Sequence, residues 1–140
     1  QRPGLCGISH LMSNETIRAW HDFVSTKNSA AFAVTLDDDV AFYSPVVHTP
    51  QLGKVITLLY LEAAHDVLSN DSFRYVREVI DQDFAMLEFT ADIKGVHING
   101  VDMIRWDEDG KIIEFKVMIR PLQAIRMIHQ EMAARLQKKA

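Results

Sequence analysis

Asp102 interrupts the apolar run VDMIRW, residues 101–106, where a carboxylate is costly. Side chains alternate along an extended strand. Asp102 therefore shares a face with Ile104 and Trp106, and Val101, Met103 and Arg105 take the other. An acid on an apolar face loses hydration, which penalises its charged form and raises its pKa. It can then serve as an acid, a hydrogen-bond donor or a ligand anchor. The competing reading is a structural aspartate satisfied by a neighbouring backbone group or arginine. His48 lies in the stretch VVHTPQLG, residues 46–53. It titrates near neutral pH and is a candidate base, although an exposed loop histidine is the commoner case. Trp20 and Tyr60 join an apolar body to a polar tip, which suits a pocket wall as well as ordinary core. His97 precedes Asp102 by five residues, so a bulge at Asn99-Gly100 is required to bring the two together.

Other chemistries lack their residues. His65 and Asp66 are adjacent on a helix and splay apart. The six histidines show no H-x-H or H-x-x-x-H spacing, and the single cysteine, Cys6, leaves no C-x-x-C. No metal site is expected. No nucleophile elbow, P-loop or dinucleotide fingerprint is present, and no cofactor is expected.

These candidates need elements to hold them. Ser13 and Asn14 can cap a helix, with Glu15 in its first turn and Ile17, Trp20, Phe23 and Val24 at helical spacing. Ser29 can cap a second short helix, AAFAVTL, ended by Asp37-Asp38-Asp39 read as a solvated turn. The strand VAFYSP stops at Pro45, and KVITLLYLEAAHDVL (residues 54–68) has the length and composition of a buried helix. SFRYVREVI, FAMLEFTADI, VHINGVDMIRW and KIIEFKVMI read as strands, with Asn99-Gly100 a turn or a bulge and Asp107-Glu108-Asp109-Gly110 a hairpin turn. Leu122, Ile125, His129, Met132 and Leu136 mark a C-terminal helix. Helices gather early and strands late, which is α+β, with helices on one face of a mostly antiparallel sheet.

The bulk numbers set the frame. The chain has 140 residues, 48% of them hydrophobic and 24% charged, enough for one domain with a packed core. A net charge of −4 without a basic face argues against nucleic acid as a partner. No apolar run approaches the roughly 20 residues of a membrane span. One cysteine is compatible with a reducing compartment, and a cytoplasmic location is expected. Residues 1–12 show no periodic pattern. They are read as a leader, vector-derived as far as residue 11, or a disordered N-terminus, with residues 13–140 a single domain.

The element order and four signatures together resemble the nuclear transport factor 2-like superfamily, within it the SnoaL-like and ketosteroid-isomerase-like group. The signatures are LDDDVAFYSPV, PQLG, GVDMIRWDEDGKI and RPLQAI, and the resemblance covers about residues 13–137. It implies a cone-shaped, curved, mostly antiparallel sheet wrapped by N-terminal helices, the cystatin-like arrangement, with a C-terminal helix. It also implies an apolar pocket for a small hydrophobic molecule and a homodimer through the outer sheet face. Asp102 stands five residues before Asp107. That is the spacing of the acid that ketosteroid isomerases keep protonated to bind an oxyanion.

The rest of the family's machinery is altered. At the place of the general base stands Ser44, before Pro45, and a serine hydroxyl cannot take an α-proton unaided. The resemblance turns Ser44 inward, where it would line the site. At the place of the oxyanion tyrosine stands Trp20, which can only donate. The position of the supporting tyrosine falls on Leu61, with Tyr60 one residue away. Steroid isomerisation by the usual mechanism is not expected. Two functions stay open. One is a binding module whose pocket is lined by Trp20, Tyr60, Ser44, Ile104 and Trp106, with Asp102 as anchor. The other is a cofactor-independent isomerase, cyclase, dehydratase or hydrolase on a small carbonyl compound, with Asp102, His48 and Ser44 as its catalytic residues.

Overall fold

The structure is a computed structural model that describes residues 3–139, with side chains described for residues 15–138. Helix α1 spans Pro3–Thr26 and α2 Ser29–Ala33. Strand β1 spans Leu36–Tyr43, β2 Gln51–Leu52, and helix α3 Lys54–Leu68. Four long strands follow, β3 (Arg74–Asp81), β4 (Phe84–Ile93), β5 (Val96–Trp106) and β6 (Ile112–Arg120), and then helix α4, Leu122–Lys139. The strands form one curved six-stranded sheet in the order β2-β1-β6-β5-β4-β3. The β1–β6 pair is parallel and every other pair antiparallel. The architecture is the expected α+β one.

Several local expectations are corrected. α1 begins at Pro3, so Ser13 and Asn14 lie inside it rather than at its start. Their side chains, like those of residues 1–12, lie outside the described residues. The N-cap of α2 is Asn28, not Ser29, and its side chain accepts from the Ala31 amide. α2 stops at Ala33, and the acidic run is not a turn: Asp37–Asp39 belong to β1. β1 pairs with only two residues of β2 on one side and with β6, irregularly, on the other. Such a short partner leaves space in which the acids stay hydrated. Asn99 and Gly100 form neither a turn nor a bulge. The β4–β5 register is unbroken from Phe84↔Arg105 to Ile93↔Val96. Along α4 the deepest residues are Ala124 and Ile128, whereas Leu122 is exposed.

The Asp107–Gly110 turn forms as the sequence suggests. Asp107 Oδ1 accepts from the amides of Asp109 and Lys111, and Gly110 takes the left-handed conformation at φ 80°. Thr16 donates to the Gly110 carbonyl at 3.0 Å, which ties α1 to the hairpin.

Two apolar clusters fill the concave side. The first gathers α1, α2 and the inner residues of β1, β5 and β6 around Trp20, Phe23, Phe32 and Phe115. The second joins Phe89, Ala91, Ile93 and Ile98 of the sheet to Val67 of α3 and to Ala124 and Ile128 of α4. Asp102 lies on the sheet between them. Among the described residues no helix is long and apolar enough to cross a membrane.

Candidate functional site

Asp102 is 6% exposed and shares the buried face of β5 with Ile98, Gly100, Ile104 and Trp106. Its strand neighbours are Leu87 on β4 and Val117 on β6, which offer its carboxyl nothing polar. The partner comes from two strands away. Tyr75 of β3 donates from its hydroxyl to Asp102 Oδ2 at 2.6 Å. Trp20 of α1 donates its indole N–H to the same Tyr75 oxygen at 2.9 Å. The result is a directed chain, Trp20 to Tyr75 to Asp102. Oδ1 of Asp102 has no hydrogen-bond partner among the described residues.

Local packing makes this reach possible. Gly100 lies two residues before Asp102 on the same face. A Cβ there would sit 2.4 Å from Cζ of Phe89, so only glycine lets that ring lie over the strand. Phe73 stacks on Phe89 with centroids 5.3 Å apart, and Tyr75 meets Phe73 edge-on at 5.2 Å. These rings hold the Tyr75 hydroxyl over Asp102.

Burial pushes the Asp102 carboxyl from its ordinary 3.8 up to about 7, while the Tyr75 hydrogen bond pulls the other way by favouring the carboxylate. Tyr75 is held well above its ordinary value of 10.0, first by burial and then by the neighbouring Asp102 charge. Near neutral pH, Asp102 therefore exists in both forms. Protonated, it donates one hydrogen bond; ionised, it only accepts.

A cavity of about 60 Å³ opens beside this chain, lined by Trp20, Tyr75 and Asp102 together with apolar residues, His65 of α3 and Ser69 just after it. A second chamber of about 240 Å³ lies next to it under α4, lined by Ser44, Tyr60, His129 and Met132 among others. Phe42, Ala64, Leu68 and Val117 line both. The interior is thus two chambers with a partition of side chains.

The expected site residues fall into three places. Trp20 and Asp102 share the first chamber, and Ser44 and Tyr60 line the second. Tyr60 packs on Phe42 with ring centroids 5.4 Å apart. The Ser44 hydroxyl accepts from the amides of Val46 and Val47 at 3.3 and 3.0 Å, so its lone pairs are engaged in its own turn and are not offered to a ligand's proton. Ile104 and Trp106, 0% and 3% exposed, are packed core and line neither chamber. His48 is exposed in an outer surface depression with Tyr43 and Lys116; Ser44 lines this depression too, so these two meet there, but His48 is not brought to the Asp102 chamber. His97 pairs with Asp92 at 2.8 Å on the outside instead of with Asp102, because the unbroken register of β5 keeps them on opposite faces. Tyr75 and His65 are site residues to which the sequence does not point. Tyr75 shows only strand alternation, and its reach across β4 has no sequence signal. Among the described residues, no three His, Cys, Asp or Glu side chains gather as a metal site would require.

Known proteins share this fold. A family model described as SnoaL-like domain matches residues 17–115. The chain belongs to the SnoaL-like domain family. A steroid delta-isomerase from Pseudomonas aeruginosa is 30% identical, with a TM-score of 0.85 over 91% of this chain and 93% of that one. An uncharacterized bacterial protein with a cystatin-like fold from Silicibacter pomeroyi is 28% identical, with a TM-score of 0.79 over 86% of this chain and 84% of that one. An NTF2-like protein of unknown function from Cytophaga hutchinsonii shares the fold at 16% identity, with a TM-score of 0.62 over 81% of this chain and 94% of that one. No curated protein sequence matches the chain. Within this SnoaL-like domain, α1, α3 and β3 bring Trp20, His65 and Tyr75 to the cavity that Asp102 lines.

Proposed function

We propose that this SnoaL-like domain binds a small, largely apolar molecule carrying a hydrogen-bond acceptor such as a carbonyl, with Asp102 as its anchor. One observation carries the reading. Asp102 is buried beside a cavity, is held on Oδ2 by Tyr75, and has Oδ1 unpartnered. A protonated carboxyl in that position gives its hydrogen bond to the ligand, and Tyr75 orients it. The size of the first chamber favours a compact ligand, or a compact head whose apolar remainder displaces the partition toward the second chamber. Binding of 2-butanone, followed by NMR, tests this. Affinity falls as pH rises from 6 to 8, because the donor form of Asp102 is lost through a pKa of about 7. A pH-independent affinity refutes the anchor.

A second reading is a cofactor-independent isomerase, lyase or hydrolase acting on such a carbonyl compound. It is supported by an acid poised near neutral pH and by the similarity to a steroid delta-isomerase. In that case Asp102→Asn, which keeps a donor but cannot cycle a proton, retains binding and loses turnover. Steroid as the substrate has less support. Ser44 has no carboxylate and its hydroxyl is engaged, and the Asp102 chamber is about 60 Å³. The proposal extends to a cytoplasmic homodimer through the outer sheet face, where Val79, Met86 and Met118 are exposed.

A further inference from the structure

His65 also lines the Asp102 cavity. Its Nε2 lies 2.7 Å from the Val24 carbonyl. A carbonyl only accepts, so Nε2 carries the proton, and the neutral ring then has a lone pair on Nδ1. That Nδ1 is buried and has no hydrogen-bond partner among the described residues. The ring cannot turn to relieve it without giving up Val24 and its edge contact with Phe23, at 5.6 Å between centroids. Among the described residues the other buried side-chain atom in this condition, Thr57 Oγ1, does not line the cavity. A buried acceptor left unmade is costly, so a native site keeps one for a partner that arrives from outside the chain, water or ligand.

We propose that the ligand of this cavity carries a hydrogen-bond donor for His65 Nδ1 as well as an acceptor for Asp102, which makes it a small hydroxy-carbonyl compound rather than a simple ketone. The inference rests on the Asp102 reading and narrows its ligand class. Asp102 offers a proton and His65 a lone pair, and apart from Ser69 and the Trp20–Tyr75 chain the rest of the lining is apolar. An apolar lining alone prefers the less polar of two ligands of equal size. A fixed acceptor reverses that order, because a ligand with a donor satisfies Nδ1 and one without leaves it unpaired. The order of two affinities is therefore the signature of His65.

Hydroxyacetone and 2-butanone make the pair, since they differ by a hydroxyl in place of a methyl and have the same number of heavy atoms. Each is titrated into the full chain and followed by NMR. Hydroxyacetone is expected to bind at least threefold more tightly than 2-butanone. In His65→Gln the order inverts: the amide N–H keeps the bond to Val24, but no acceptor stands at the place of Nδ1. A readout free of any variant comes from the His65 ring nitrogens. The Nδ1 resonance is that of an unprotonated nitrogen, moves on adding hydroxyacetone and stays with 2-butanone. If both ketones perturb Tyr75 and Asp102 while 2-butanone binds as tightly or more tightly, His65 has no such role and the Asp102 anchor stands. If neither binds, the carbonyl anchor fails, and this inference with it.

Discussion

Asp102→Asn provides the sharpest test of the buried acid, because its effect on stability must change with pH. In the folded chain the carboxyl titrates at about 7, against 3.8 for an ordinary aspartate, which is the reference for the unfolded chain. Between those two values the folded state binds more protons than the unfolded state, so stability falls as pH rises. The contribution is fully present below the unfolded pKa and is lost as pH climbs through the folded one. At about 1.4 kcal/mol per pKa unit, the loss is about 2 kcal/mol at pH 5 and about 4 kcal/mol at pH 8, with little change above. The amide of asparagine has nearly the same shape, still accepts from Tyr75 and does not titrate. The variant should therefore gain on the wild type by about 2–3 kcal/mol between pH 5 and pH 8. Urea unfolding of both proteins at half-unit steps measures it, and the other carboxylates cancel in the difference. Tyr75 titrates well above this window. Two stability curves that run parallel from pH 5 to 8 would refute the claim that Asp102 is held protonated by burial.

Tyr75→Phe removes the hydrogen bond to Asp102 and strands the buried indole N–H of Trp20, so it should cost about 1–3 kcal/mol in chemical denaturation. The same change should raise the Asp102 pKa further, seen by carboxyl carbon NMR, since the Tyr75 bond is what lowers it. Gly100→Ala drives a Cβ into the Phe89 ring and should destabilise by about 1–3 kcal/mol, with the near-UV dichroism of the Phe73–Phe89–Tyr75 group altered. Met118→Asp puts a charge on the exposed outer face and should convert a dimer to a monomer in size-exclusion with light scattering; a wild-type protein that is already monomeric refutes the dimer.

Much of the fold was legible because it rests on periodicity. The alternation in VDMIRW places Asp102, Ile104 and Trp106 on one buried face, and the strand of the structure does the same. The Asp107–Gly110 turn follows from an aspartate that bonds to nearby backbone amides and a glycine free to take positive φ. The errors lie where local preference competes with a neighbouring strand. Asn99-Gly100 carries a turn signal, yet it is pulled straight by ladders on both sides, Thr90↔Asn99 with β4 and Asn99↔Arg120 with β6. Asp37–Asp39 look like a turn, and pairing of β1 with β2 and β6 makes them strand.

The sequence by itself determined that this chain is α+β, that it has SnoaL-like features, and that an acid sits on an apolar strand face. Those follow from spacing, composition and side-chain chemistry, which are local. Only the tertiary structure decided what the acid meets. The Tyr75 hydroxyl is 27 residues from Asp102 and the Trp20 indole 55 residues from Tyr75. They are brought together by the curvature of the sheet, the Phe89 ring lying over Gly100 and the packing of α1. Whether His65 is free or satisfied likewise depends on Val24, 41 residues away on another helix. The desolvation that sets a pKa, and the partner that satisfies or orphans a buried atom, are sums over neighbours that only folding assembles.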